Sequence, residues 1–189
     1  MSKPSYEFTK DKSELQVRFI FISKGIQDII KVIDYDYVGL YNERKTFNLG
    51  FGDYNPSTGE IDDHVNTDNG DVYGVLNTVL NTVPLFFEEF PNHSLMVRGS
   101  DNGEEFLTKC ISNCKKTCGN TFSCKNQNRR INLYIRYVNL NHNELIKEYD
   151  FIGAQEDTIE PFEKDKKYDT VFLLKNITLL YENKELKTR

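Results

Sequence analysis

Alternating apolar and polar positions dominate the first third of the chain. Every second residue from Leu15 to Phe21 is large and apolar, which is the period of a strand with one buried face. Two further apolar-rich runs follow, Ile29 to Tyr41 and Lys45 to Phe51, with polar turns around Gly25 and Asn42-Glu43. These runs predict an antiparallel meander.

A helical period replaces the alternation after residue 70. Large apolar residues recur at three- and four-residue steps from Val72 to Phe90, which predicts one long amphipathic helix. Asp68 or Asn69 is expected to cap its start, and Pro91 is expected to end it. A short buried strand from Ser94 to Val97 should follow.

The second half of the chain is less regular. Arg130 to Ile146 fits both a strand and a helix, and we favour the helix. Tyr168 to Leu174 reads as a strand, and the charged tail from Glu182 to Arg189 is expected to fray. With 189 residues there is room for one well-buried core. We therefore predict a single α+β domain over residues 1–175, an antiparallel sheet packed by one long amphipathic helix and a second helix, with a C-terminal segment at 176–189.

Net charge and hydropathy bear on where the protein works. The chain carries a net charge of −5, which argues against a general affinity for nucleic acid, although a local basic face survives that average. Its start has no apolar run, and no window reaches the ~18 apolar residues that a membrane span needs. We expect a soluble cytoplasmic protein without a membrane partner.

Charge signs are segregated along the sequence. Between Thr46 and Val97 every charged residue is acidic, and between Phe106 and Asn143 every charged residue is basic. Complementary faces of this kind can pair within one chain or between chains. The pattern predicts a protein partner or self-association through acidic and basic faces.

All four cysteines lie in the basic stretch, at Cys110, Cys114, Cys118 and Cys124. On one helix Cys110 and Cys118 would lie about 12 Å apart along the axis, too far to share one Zn²⁺. A zinc site therefore requires the chain to turn back near Gly119. Reduced, unlinked thiols are the leading interpretation, ahead of zinc and of disulfides, and no other cofactor is expected.

Two groups of residues are candidates for phosphate chemistry. Arg98, Ser100, Arg129 and Arg130 have the guanidinium and hydroxyl groups of an anion pocket. If the protein is an enzyme, the catalytic candidates are Asp62, Asp63, Asp68 and Arg130, acting in metal-assisted phosphoryl transfer or nuclease chemistry. Internal pairing of these arginines with the acidic segment is the favoured alternative.

Nucleic acid is a further candidate partner of the basic stretch. Phe122, Tyr134 and Tyr137 lie among its cations and amides, a mixture that suits contact with RNA or a single strand. The stretch matches none of the common nucleic-acid-binding modules, and a solvated basic surface is the simpler interpretation.

Several short motifs resemble a family of small bacterial proteins of unknown function. The residues that carry this resemblance are Phe51-Gly52-Asp53, Thr58-Gly59-Glu60-Ile61-Asp62-Asp63, Thr67-Asp68-Asn69-Gly70-Asp71, Gly99-Ser100, Arg130 with Leu133-Tyr134, and Pro161-Phe162-Glu163 with Tyr168. The resemblance implies an intracellular α+β domain, with a toxin–antitoxin or defence setting, and it implies no activity. Residues 101–127 then form a cysteine-containing basic insertion whose two ends should lie close together. We predict a binding or interaction protein, with the metal-dependent enzyme as the alternative.

Overall fold

The computed structural model describes residues 5–62, 69–99, 101, 106–108, 127–156 and 158–176. Within it the chain divides into two compact units, Met1–Leu95 and Met96–Arg189. Each unit combines antiparallel strands with one long helix, so the predicted α+β class is confirmed. The single-domain boundaries stay a prediction.

The first unit is a meander of four strands with a short fifth strand and one helix. Each of β1, β2, β3 and β4 pairs antiparallel with the next, and β5 pairs with the end of β4. The elements are β1 Phe8–Lys12, β2 Gln16–Lys24, β3 Asp28–Tyr41, β4 Arg44–Tyr54, β5 Ile61–Asp62 and α1 Val72–Glu89. The predicted meander and long helix are therefore confirmed.

Helix α1 packs on the sheet face that the sequence alternation marks as apolar. Val17, Phe19 and Phe21 of β2 are buried on this face. Tyr35 of β3 stacks on Phe86 of α1 with ring centroids 4.8 Å apart. Burial of these aromatic rings stabilises the unit, since each removes a large apolar area from water.

The start of α1 differs from the prediction. The N-cap residue is Asp71, so the expected cap by Asp68 or Asn69 was wrong. Asn69 lies two residues before this position, and its side chain bonds to the turn between β2 and β3 instead. Pro91 follows the last helical turn, as predicted, because it cannot continue the helix.

The second unit begins within β6 Ser94–Arg98 and contains one helix and three further strands. Strand β7 pairs antiparallel with both β8 and β9. The elements are α2 Arg129–Leu145, β7 Tyr149–Gln155, β8 Thr158–Pro161 and β9 Thr170–Lys175. The helical interpretation of the ambiguous segment is confirmed, as are strands β6 and β9. Strands β1, β5, β7 and β8 were not predicted.

Candidate functional site

A polar cluster lies at the start of α1, in the first unit. Its centre is Asp71, whose Oδ2 accepts hydrogen bonds from the hydroxyls of Tyr6 and Ser23, each at 2.6 Å. Asn69 joins the cluster by donating from Nδ2 to Ser23 Oγ at 2.9 Å. We call Tyr6, Ser23, Asn69 and Asp71 the Asp71 cluster. It joins the N-terminal segment, β2 and the helix start.

Asn69 also binds the hairpin turn between β2 and β3. Its Oδ1 accepts from the backbone N–H of Gln27 at 3.0 Å, and its Nδ2 donates to the Gln27 carbonyl at 2.9 Å. The N–H of Ile26 donates to the Asn69 carbonyl at 3.2 Å. Any side chain at Gly25 would overlap Asn69, so the turn needs glycine for this close approach.

The hydrogen bonds set the protonation state of the cluster. Burial alone would raise the pKa of Asp71, but the bonds from Ser23 and Tyr6 and the nearby charge of Lys31 lower it overall. Burial raises the pKa of Tyr6, and its hydrogen bond to Asp71 adds to the effect. The cluster therefore holds a charged carboxylate and a neutral phenol at neutral pH.

An ion pair lies on the same side of the sheet. Lys31 of β3 and Asp53 of β4 are directly opposite each other, and their Nζ and Oδ1 atoms form a salt bridge. Lys31 is only 4% exposed, and its ammonium lies 5.5 Å from the centroid of the Phe51 ring. The sequence reasoning missed Lys31, although one charge inside the run Ile29-Ile30-Lys31-Val32-Ile33 marks a buried polar residue that needs a partner.

The glycine beside Asp53 allows β5 to approach. A methyl group at Gly52 would lie 2.6 Å from Ile61 Cγ2 and 2.9 Å from the carbonyl O of Asp62. Asp62, a predicted catalytic residue, pairs in register with Asp53. Asp62 and Asp53 of the Phe51-Gly52-Asp53 motif therefore lie opposite each other, held by backbone pairing at the end of β4.

A second polar site lies at the start of α2, in the second unit. Asp101 is 7% exposed, and its Oδ2 accepts from the N–H of Arg130 at 3.2 Å. Its carbonyl accepts from the N–H of Asn128 at 3.1 Å, so the two ends of the predicted insertion are close, as expected. An acidic side chain of the protein itself therefore lies at the helix N-terminus, where it accepts from the backbone of Arg130, a member of the predicted anion pocket.

The other members of the predicted sites lie at the end of β6, on α2 or outside the described residues. Arg98 is exposed at the end of β6, and Arg129 is exposed on α2. Next to Arg130, burial raises the pKa of Tyr134 to about 12, an effect that the arginine charge opposes. Asp63, Asp68, Ser100 and the four cysteines lie outside the residues that the structure describes.

The described ranges contain neither a metal-binding group of side chains nor a helix that could cross a membrane. Within them no three His, Cys, Asp or Glu side chains group closely enough to hold a metal ion. The helices described there include none long and apolar enough to cross a bilayer. The zinc site stays a prediction, because its cysteines are outside those ranges.

These features define an α+β protein in which two motif segments, Phe51-Gly52-Asp53 and Asn69-Gly70-Asp71, lie in one polar region of the first unit. Residues 2–111 match DUF6934, a family of unknown function, and they are more than half of the chain. The chain therefore belongs to this family. No curated protein and no solved structure matches it. The match includes the Asp71 cluster and ends before α2.

Proposed function

We propose that this chain is a binding or interaction protein rather than an enzyme. The observation that supports this proposal is the engagement of Asp53 and Asp71 by the protein's own side chains. A catalytic carboxylate needs an oxygen directed at substrate or metal, within hydrogen-bond reach of the reacting group. Instead, Asp53 links β4 to β3, and Asp71 links the start of α1 to β2 and the N-terminal segment. Both carboxylates therefore stabilise the fold.

Charge pairing in the first unit supports the same proposal. Glu89 at the end of α1 pairs with both Lys10 and Lys12 of β1, as Asp53 pairs with Lys31. Part of the acidic character of the Thr46–Val97 stretch is therefore neutralised inside this unit. The basic stretch is the better candidate for binding a partner. A toxin–antitoxin or defence setting rests on the sequence resemblance, and a small gene directly upstream would support it.

An activity assay separates binding from catalysis. The full chain is incubated with a single-stranded RNA and a duplex DNA, with and without Mg²⁺, and the products are resolved on a gel. We expect no cleavage by the wild type. Magnesium-dependent cleavage that disappears in Asp62→Asn and Arg130→Gln, but persists in an Asp28→Asn control on the exposed hairpin, would establish the enzyme instead. Asp63→Asn and Asp68→Asn complete the set.

Self-association is a separate outcome of the same proposal. If acidic and basic faces pair between copies, light scattering at low salt gives a dimer mass that falls towards the monomer as salt screens the charges. If the partner is another molecule, the purified chain stays a monomer at both salt concentrations.

A further inference from the structure

Helix α2 presents one evenly spaced row of exposed residues. At 100° per residue the row occupies about 80° of the helix surface, opposite the buried Ile131, Ile135 and Val138. Its members are Arg129, Asn132, Arg136, Leu140 and Asn143. We call this row the outer face of α2. It is basic and amide-rich, with a single apolar residue.

Both arginines of the outer face, Arg129 and Arg136, are exposed. Within the described ranges, no carboxylate lies within ion-pair distance of Arg129 or Arg136. The first acidic residue along the helix is Glu144 in its last turn, and Glu144 pairs with Lys147 at 2.7 Å. A guanidinium with no internal partner offers all its donors to a ligand, and it binds phosphate oxygens in pairs.

We propose that the outer face of α2 binds the phosphate backbone of a DNA duplex, an inference that rests on the proposed binding function. Arg129 and Arg136 are seven residues apart, so they are separated by about 10 Å along the axis. Three base pairs of a duplex rise by about the same length along the duplex axis, at about 3.4 Å for each phosphate of one strand. Asn132 lies between them, where an amide can bond to phosphate or sugar.

The composition of the face favours nucleic acid over an acidic protein. Protein–protein interfaces have a buried core that is rich in aromatic and other apolar residues and, apart from Arg, poor in charge. Here only Leu140 is apolar, and the amide of Asn132 lies between the two arginines. The binding expected of such a face is independent of sequence and dependent on salt.

The test measures binding of a 20-base-pair DNA duplex by fluorescence anisotropy over a range of salt concentrations, without Mg²⁺. The double variant Arg129→Gln/Arg136→Gln should lower the slope of log K against log salt by about 2, since each lost phosphate contact removes about 0.9. This decrease in slope corresponds to an affinity loss on the order of 50-fold relative to the wild type near 0.1 M salt. The control Lys24→Gln/Lys45→Gln, two exposed lysines of the first unit, should keep the wild-type slope.

Three results would overturn the inference: no duplex binding at low salt, an unchanged slope in the arginine variant, or equal competition by polyglutamate, which would indicate an acidic protein partner. Equal thermal transitions for all variants exclude misfolding as the cause of any change. Absence of duplex binding leaves the proposed binding function standing, whereas magnesium-dependent cleavage of the duplex contradicts that function itself.

Discussion

Lys31 and Asp53 face each other across β3 and β4 and form an ion pair on the side of the sheet that carries α1. Their side chains are only 5% and 15% exposed, so neither charge is well solvated. A buried charge costs several kcal/mol unless a partner and hydrogen bonds compensate it. Asp53 of the Phe51-Gly52-Asp53 motif therefore supplies the partner charge that Lys31 requires, and the Phe51 ring lies beside the same ammonium.

The first prediction concerns this pair. Asp53→Asn should lower the free energy of unfolding by about 3 kcal/mol, because it leaves Lys31 charged and largely buried. Lys31→Met/Asp53→Asn should recover part of the loss, and the coupling energy is obtained from urea unfolding of the single and double variants.

A matched control lies on the opposite face of the same sheet. Arg18 of β2 bonds to Asp34 of β3 through two hydrogen bonds, at 2.7 and 2.8 Å, and the arginine is more exposed than Lys31. Its double-mutant coupling should be at most about 1 kcal/mol. Equal coupling for the two pairs would mean that burial does not distinguish them.

The second prediction concerns pH. The pKa of Asp71 is lowered in the folded state, so its stabilising contribution is fully present above the unfolded value of about 3.9. The contribution is lost as the pH falls through the lower folded pKa. Wild-type protein should thus lose more stability than Asp71→Asn between pH 6 and pH 2, as measured by urea unfolding. Parallel curves for the two proteins would count against a charged Asp71.

Tyr6 provides the associated structural check. Its hydroxyl lies 2.6 Å from Asp71 Oδ2 and 3.0 Å from the Lys24 carbonyl. Tyr6→Phe should lower the free energy of unfolding by roughly 2 kcal/mol at neutral pH, because the carboxylate loses one of its two hydroxyl donors.

The meander and both helices could be predicted because their apolar periods are regular. Strand β1 was not predicted, because three consecutive charged residues, Lys10, Asp11 and Lys12, leave no alternation of apolar and polar positions. Strand β8 was not predicted, because it is short and ends in proline. On α1 the pattern of large apolar residues overlooked Thr78 and Thr82. Both threonines are fully buried, and their hydroxyls donate to helix carbonyls.

The polar sites were less predictable than the fold. Asp71 bonds to residues 48 and 65 positions away in sequence, and no local pattern indicates such a contact. The position of Asn69 predicts a helix cap, because a short amide side chain before a helix often caps it. In the structure, both its Oδ1 and its Nδ2 bond to the backbone of the hairpin turn instead. Long-range packing therefore decides the role of a residue whose local preference suggests another.

The third prediction concerns Gly153 in β7. Any methyl group there would overlap the ring of Tyr168, whose hydroxyl is held by the N–H of Glu163 at 3.0 Å. Gly153→Ala should lower stability by about 3 kcal/mol, because the ring must move from a buried position. Gly50→Ala is the control, since its nearest neighbour would be Asp34 O at 3.8 Å, and it should change stability by less than about 1 kcal/mol. Thermal unfolding compares the two variants.

The fourth prediction compares the effect on stability of replacing residues 102–126 with the effect of substituting Asp101 alone. The Asp101 carbonyl and the Asn128 N–H are hydrogen-bonded at 3.1 Å, so a short bridge can join residues 101 and 127. Replacing residues 102–126 with a four-residue Gly-Ser linker should keep the main thermal transition, because a shorter loop costs about 1–2 kcal/mol less to close. Asp101→Ala in the full chain should instead lower stability by about 1–2 kcal/mol, since Arg130 N–H at the start of α2 loses its acceptor.

The linker variant also tests the cysteines, because it removes all four of them. If zinc bound by Cys110, Cys114, Cys118 and Cys124 supports the fold, a chelator lowers the thermal transition of the wild type and leaves the variant unchanged. Equal transitions with and without chelator, together with four titratable thiols in denaturant, identify reduced and unlinked cysteines. Loss of cooperative unfolding in the linker variant would show instead that the segment belongs to the core of its unit.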